Sequence, residues 1–231
     1  MTEFIGVICG LKAEAETVAK SAKHAGIDKA RLKIAVSGAD AARAEALVEG
    51  LLAAGARAIV SAGLAGGVDP ARATGALIVG ERVVTPSGEV YMSDARLLRA
   101  ANAEDAHAVI LGSDDILKSV ADKETAFRKY AACCVDMESH GAARAAARAK
   151  APFITVRAIA DSAARALPSA AFDAIAPDGR VRAMGVFMNC LKRPEQFEQI
   201  FALARDSDAA HETLRRDFGR LLGAFFRVLD L

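Results

Sequence analysis

The stretch from Cys133 to Asp161, CCVDMESHGAARAAARAKAPFITVRAIAD, most constrains what this chain folds into. It reads as a short strand over 133–135, an Ala-rich helix over 139–150 and an apolar strand over 153–159 that runs on to Asp161. Strand, helix and strand in that order make a β-α-β unit. Asp136, Met137 and Glu138 are then delivered to one strand end and Asp161 to the next, where α/β folds place chemistry.

The same alternation extends upstream. Residues 4–9 form an apolar run suited to a buried strand, Gly10 allows a turn, and a helix follows over 12–25. A strand over 32–36, a helix over 41–54 and a strand over 57–62 repeat the pattern. The third strand leads into the Gly-rich turn SAGLAGGVD, 61–69. Residues 76–85 read as one bent strand or as two strands around Gly80. A Pro-initiated turn then precedes a helix starting after Ser93 or Asp94. A strand over 106–111, the turn GSDD and a helix over 123–130 complete the approach to Cys133. This order predicts a largely parallel sheet covered on both faces.

After Asp161 the segment 167–180 carries two prolines and a glycine, the composition of a surface loop able to open over a site. Helices are predicted from 181, over 194–204 and over 209–229. In the last, Leu214, Phe218, Leu221, Leu222, Phe225, Phe226 and Leu229 share one side, opposite Arg215, Arg216, Asp217 and Arg220. Core packing satisfies that pattern, and so does a surface turned to a membrane or a greasy ligand. No repeat or linker divides the chain, so residues 1–231 are expected to form a single domain.

Composition excludes several classes. With 30 basic against 29 acidic side chains the net charge is +1, without the basic excess of a nucleic-acid binder. Cys9, Cys133, Cys134 and Cys190 have no paired spacing, which predicts buried thiols in a reducing cytoplasm and neither redox chemistry nor a metal site. No window approaches 18 uninterrupted apolar residues, so no membrane span is expected.

Taken alone, the polar candidates each have two readings. Glu14, in the first turn of its helix, complements the amide dipole or acts chemically. Gly63, Gly66 and Gly67 serve a structural turn or let a ligand approach the backbone. Asp161 caps the following segment or works as an acid, and Glu138 is structural or accepts from hydroxyls. Tyr91 and Met92 pack in the core or line a pocket.

The motifs IGVICGLKAEAE, SAGLAGG, ILGSDD, AFRKYAACCVDMES and VRAIAD resemble, in order and over roughly the first two thirds of the chain, the nucleoside phosphorylase and nucleosidase superfamily. The resemblance is strongest to adenosine-type nucleosidases, and within them to hopanoid-associated phosphorylases, also described as adenosylhopane nucleosidases. It implies an α/β, three-layer α/β/α nucleoside-phosphorylase-like fold with a central twisted mixed sheet, and a homodimer or larger assembly. By position, Glu14 matches the carboxylate that activates water, Met137 lies under the nucleoside and Glu138 accepts from the ribose hydroxyls. Asp161 matches the aspartate that meets purine N7. Gly63 and Leu64 fall in the turn beside base and sugar, and Asp114 and Ile116 in the segment approaching the purine.

Lys12 and Arg43 are the nearest candidates for an anion site, but neither sits in a phosphate cage. Glu14 itself repels a doubly charged phosphate, which favours hydrolysis. Phosphorolysis, with phosphate as cosubstrate, is the alternative, and a noncatalytic nucleoside-binding protein is a third reading. The reaction needs no cofactor and no metal. Lys12 and Ala13 replace acidic residues usual in methylthioadenosine nucleosidases, and Leu64 stands where serine is common. These departures argue against the small sulfur nucleosides, and the resemblance to the hopanoid-associated members implies a 5'-substituted adenosine such as adenosylhopane, its tail held by the loop after Asp161 and the C-terminal aromatic face. Peripheral membrane contact is compatible with that substrate.

Overall fold

A computed structural model describes residues 3–102, 108–168, 178–180 and 197–231. The first half-sheet is built from β1 (Phe4–Cys9), β2 (Leu32–Val36) and β3 (Ala56–Gly67), with α1 (Lys12–His24) and α2 (Ala41–Ala53) in the crossovers. Then come β4 (Leu77–Gly80), β5 (Arg82–Val84), β6 (Val90–Met92), α3 (Ala95–Ala101), β7 (Val109–Gly112) and α4 (Val120–Tyr130). The chain continues through β8 (Cys134–Asp136), α5 (Ser139–Arg148), β9 (Phe153–Asp161) and α6 (Phe197–Val228).

Along the sheet the strands run β2-β1-β3-β8-β7-β5-β6, with β9 paired to β3 and to β4. The β1–β2, β1–β3, β3–β9, β5–β7 and β7–β8 pairs are parallel. The β3–β8, β4–β9 and β5–β6 pairs are antiparallel. The sheet is therefore mixed, as the family resemblance implied, and less parallel than the alternation of elements alone suggested. Residues 76–85 form two strands, flanking Glu81.

Alternation along the buried strands feeds two cores. Ile5, Val7, Val60 and Val156 face the layer holding Val18 of α1, Leu97 of α3 and Leu214, Phe218 and Phe225 of α6. Ile8, Ile59 and Ile159 face the opposite layer, with Val48 of α2 and Ala142 and Ala146 of α5. Period-two burial on both sides of one sheet is what a strand covered by helices above and below requires.

Two sequence expectations are corrected. The Gly-rich SAGLAGG is not a turn but the second half of β3, continuous to Gly67. Its glycines keep extended geometry because β9 pairs alongside, from Ile59–Phe153 to Gly66–Asp161. The two helices read over 194–204 and 209–229 are one helix of 32 residues. The residues between the two expected helices, 205–208, hold neither glycine nor proline. Asp206 is held by an ion pair to Arg165. The helix expected from 181 and most of the loop over 167–180 lie outside the described residues.

The aromatic side of α6 is core: Leu214, Phe218, Leu222 and Phe225 are fully buried. It is not a surface for lipid or ligand. Among the described residues no helix is long and apolar enough to cross a membrane. Replacing Phe218 by Ala should cost about 3–5 kcal/mol of stability through lost burial and the cavity left behind. Urea unfolding of the two proteins measures it.

Candidate active site

The site follows from a fork in β3. Along one edge β1 pairs with β3 only as far as Ser61, and β8 begins only at Gly66. Residues 62–65 therefore leave main-chain groups on that edge without a strand partner. Glu14 fills part of the gap: the Leu64 N–H donates to its Oε1 at 2.8 Å, and the Leu11 N–H donates to its Oε2 at 2.8 Å. Glu14 is thus fixed at the start of α1 and at the middle of β3 together.

Glycines permit that closeness. A Cβ on Gly63 would lie 2.8 Å from the Glu14 carboxylate, and one on Gly10 would lie 2.3 Å from Glu138 Oε1. Side chains at either position would push the carboxylates aside.

A second set of contacts ties β8 to β9. Asp136 Oδ1 accepts from the Glu138 and Ser139 N–H groups at 3.0 and 2.8 Å, closing the turn into α5. Its Oδ2 accepts from Arg157 Nε at 2.7 Å. Arg157 also donates from Nη2 to Ser61 Oγ at 2.8 Å, and the same nitrogen lies 3.7 Å from Glu138 Oε2. The Arg157 guanidinium is 1% exposed. Burial disfavours its charge, but Asp136, Glu138 and Glu14 outweigh that and raise its pKa. Glu138 is pushed up to about 8 by burial and by the neighbouring Asp136 and Glu14, with Arg157 pulling the other way. Burial raises Glu14 as well, against the two N–H donors from Leu64 and Leu11.

Asp161 closes the far side. Its β9 partner is Gly66, one residue out of the register kept up to Ala65–Ile159, so the strand bulges at Ala160. A bulge at a strand end re-aims the side chains beside it. A Cβ on Gly66 would meet Asp161 Oδ1 at 3.3 Å. Lys123 of α4, 1% exposed, forms an ion pair with Asp161 and donates to the Ser162 carbonyl at 2.8 Å. Burial raises the Asp161 pKa, and Lys123 opposes the rise.

Glu14 lies against Gly63 and Asp161 against Gly66 on one strand, three residues or roughly 10 Å apart at the strand rise. Between them is a cavity of about 290 Å³ lined by Leu11, Glu14, Leu64, Ile116, Met137, Glu138, Lys123 and Asp161, with Leu203 and Ser207 of α6 and with Leu167, which donates its N–H to the Lys118 carbonyl. Six of the residues singled out from sequence, Glu14, Leu64, Ile116, Met137, Glu138 and Asp161, thus meet around one space. Gly63 supports it from behind.

Other candidates fall elsewhere. Asp114 turns to His140, whose Nε2 is 3.1 Å from its Oδ1, in a smaller cavity on the other side of the β7 end; its neighbour Asp115 lines the main one. Lys12 pairs with Asp178 at the surface, and neither Lys12 nor Arg43 lines the cavity. The Tyr91 hydroxyl donates to Glu89, and Met92 is largely exposed.

Arg157 and Lys123 were missed as site residues. A lone arginine inside the apolar run FITVRAIAD was a legible signal, since a buried charge must be paired. Lys123 gave only a weak one, its spacing with Ala126 on the inner side of α4.

Over residues 4–192 the chain matches the Phosphorylase superfamily. A search of curated proteins finds no match. Among solved structures it resembles a 5'-methylthioadenosine/S-adenosylhomocysteine nucleosidase from Colwellia psychrerythraea in complex with adenine. The TM-score is 0.70 at 18% identity, covering 97% of this chain and 96% of that one. The corresponding nucleosidase from Neisseria meningitidis, in complex with methylthio-immucillin-A, gives 0.67 at 17% identity, with 96% and 99% covered. Futalosine hydrolase of Helicobacter pylori gives 0.64 at 14% identity, with 94% and 97% covered. These likenesses establish the α/β fold.

Arg157→Met should destabilise the protein by about 3–5 kcal/mol, because Asp136 and Glu138 lose their buried cation. Chemical denaturation tests it. Glu138 carries the opposite pH signature to an ordinary paired carboxylate. Its folded pKa lies above its unfolded one, so the folded state binds the extra proton between pH ~4.3 and about 8, and stability falls as pH rises through that window. In Glu138→Gln the decline in melting temperature across that range should be smaller than in the parent.

Proposed function

This chain belongs to the phosphorylase superfamily, and we propose that it cleaves the N-ribosidic bond of a 5'-substituted adenosine with water, releasing adenine. The observation that carries this reading is one cavity lined both by a backbone-anchored carboxylate, Glu14, and by a second carboxylate, Asp161, set against β3 positions three residues apart. As the C1'–N9 bond breaks, its electron pair leaves with the purine and positive character grows on the sugar. Glu14 takes a proton from the attacking water, Glu138 accepts from the ribose hydroxyls, and the Asp161 end supplies a proton at N7. Met137 and Ile116 provide apolar contact with the nucleoside.

Water is favoured over phosphate by the charge around Glu14. Among the described residues lining the cavity, Lys123 is the sole cation, and it is engaged by Asp161 at the opposite end. Nearby Arg157 is already surrounded by Asp136, Ser61 and Glu138. Among the described residues, a dianionic phosphate next to Glu14 would meet repulsion without a cluster of cationic donors lining the cavity.

The 5' substituent is read as apolar, as in adenosylhopane. Support comes from Leu11, Leu64, Leu117, Leu167 and Leu203 around the cavity, which places the apolar contribution of α6 in its first half and not on its aromatic face. Each CH₂ of a tail buried there is worth about 0.8 kcal/mol. The reading includes a homodimer or larger assembly and calls for no cofactor.

Incubation with adenosylhopane and with 5'-methylthioadenosine, with and without phosphate, tests the proposal. Free adenine and a free sugar product are expected at equal rates in both buffers, with a lower KM for the hopane. Ribose 1-phosphate formed only with phosphate would replace hydrolysis by phosphorolysis. Glu14→Gln and Asp161→Asn should each lower kcat about 10²–10⁴-fold. Glu138→Gln should act mainly on KM, and steady-state kinetics separates these effects.

A further inference from the structure

Lys123 has no part in the chemistry so far. Lysine is almost never fully buried unless paired, yet here it lies 1% exposed in the first turn of α4 and lines the same cavity as Glu14. Its ammonium is bound by the Asp161 carboxylate and the Ser162 carbonyl, one partner on each side of the β9 terminus. A structural ion pair has no need to sit at the cavity wall. Arginine also pairs with carboxylates, but only lysine readily surrenders a proton when desolvated.

We propose that Lys123 is the proton source behind Asp161, a positioning residue that supplies the proton its carboxylate hands on to the departing purine. This inference rests on the hydrolase reading above. In the step, the C1'–N9 electron pair passes to the purine while Lys123 Nζ passes a proton to the ion-paired Asp161 carboxylate, which hands it on to N7. Lys123 is left as the neutral amine and Asp161 as the carboxylate. Water contributes its hydroxyl to C1' and its proton to Glu14. Solvent then takes the proton from Glu14 and returns one to Lys123, so that one water is consumed for each adenine and sugar released. The charged groups acting on Asp161 besides Lys123 are Arg165, from the segment after β9, and Asp206, from α6; these two pair with each other. Glu14 and Glu138 face the opposite end of the cavity.

The test uses the full-length protein, Lys123→Met and Lys123→Arg, with 5'-methylthioadenosine as the probe, following kcat and KM from pH 5 to 9 alongside thermal melting. Lys123→Met should lose about 10²-fold in kcat at pH 7 with KM little changed. Its remaining rate should climb as pH falls, because Asp161 without its cation holds a proton of its own at higher pH. Lys123→Arg keeps the charge but not the transferable proton, and should stay as slow as the Met variant at pH 7. Full activity in Lys123→Arg would reduce Lys123 to a fixed charge and overturn the proposal. Unchanged rates in both variants would overturn it too, as would loss of a cooperative melt in both, which would assign Lys123 to the fold. A wild type that leaves the nucleoside intact overturns the hydrolase reading and this inference together, whereas an active wild type with unaffected variants removes the inference alone.

Discussion

The Arg157 guanidinium, buried in the central sheet between Asp136, Ser61 and Glu138, is the interaction on which the rest depends. Removing a cation from water costs several kcal/mol, and only close anions with further hydrogen bonds return it. Those anions come from the β8 end and the Ser61 hydroxyl from β3, so the charge can be satisfied only when three strands meet in the observed order. The same guanidinium sits where three carboxyl groups converge and keeps their mutual repulsion tolerable. Structure and chemistry share one residue here, since the guanidinium that joins β3, β8 and β9 also faces the carboxyls at that end of the cavity.

Backbone shape decides how close those carboxylates come. Glu14 and Glu138 press against Gly63 and Gly10, with no room for a Cβ at either glycine. In β3 the glycines therefore act by absence of side chain, in a strand whose extended geometry any residue adopts. The gap between the end of β1 and the start of β8 supplies the other requirement, a main-chain N–H left free to orient Glu14. A strand that was fully paired along that edge would have no donor to offer.

Much of this was legible from the residues. The apolar runs over 4–9, 32–36 and 57–62 located β1, β2 and the first half of β3 to within a residue or so, because buried strands leave little ambiguity in composition. The second half of β3 was not legible, since three glycines in seven residues read as a turn until a neighbouring strand holds them extended. Nor was the continuity of α6 through Asp206, Ser207 and Asp208, because the partner that occupies Asp206 comes from 41 residues upstream. The cavity carboxylates were found through their motifs; Arg157 stood out as a lone charge in an apolar strand, but its partners and those of Lys123 come only from long-range contacts. Lys12 and Arg43 were near Glu14 in sequence or pattern, yet Lys12 pairs with Asp178 and neither lines the cavity.

The two ends of the cavity are electrostatically unlike, and that asymmetry fits heterolytic cleavage. Burial holds the Glu14 and Glu138 carboxyls toward their protonated form, and positive character growing on a sugar placed there draws them back toward the charged form that stabilises it. At the other end a lysine backs one aspartate, so the field favours negative character on a departing base. The wall between carries Leu64, Ile116 and Met137, and an apolar wall keeps water from screening either end. A bond laid along β3, sugar toward Gly63 and base toward Gly66, would be polarised by both ends in the direction in which it must break.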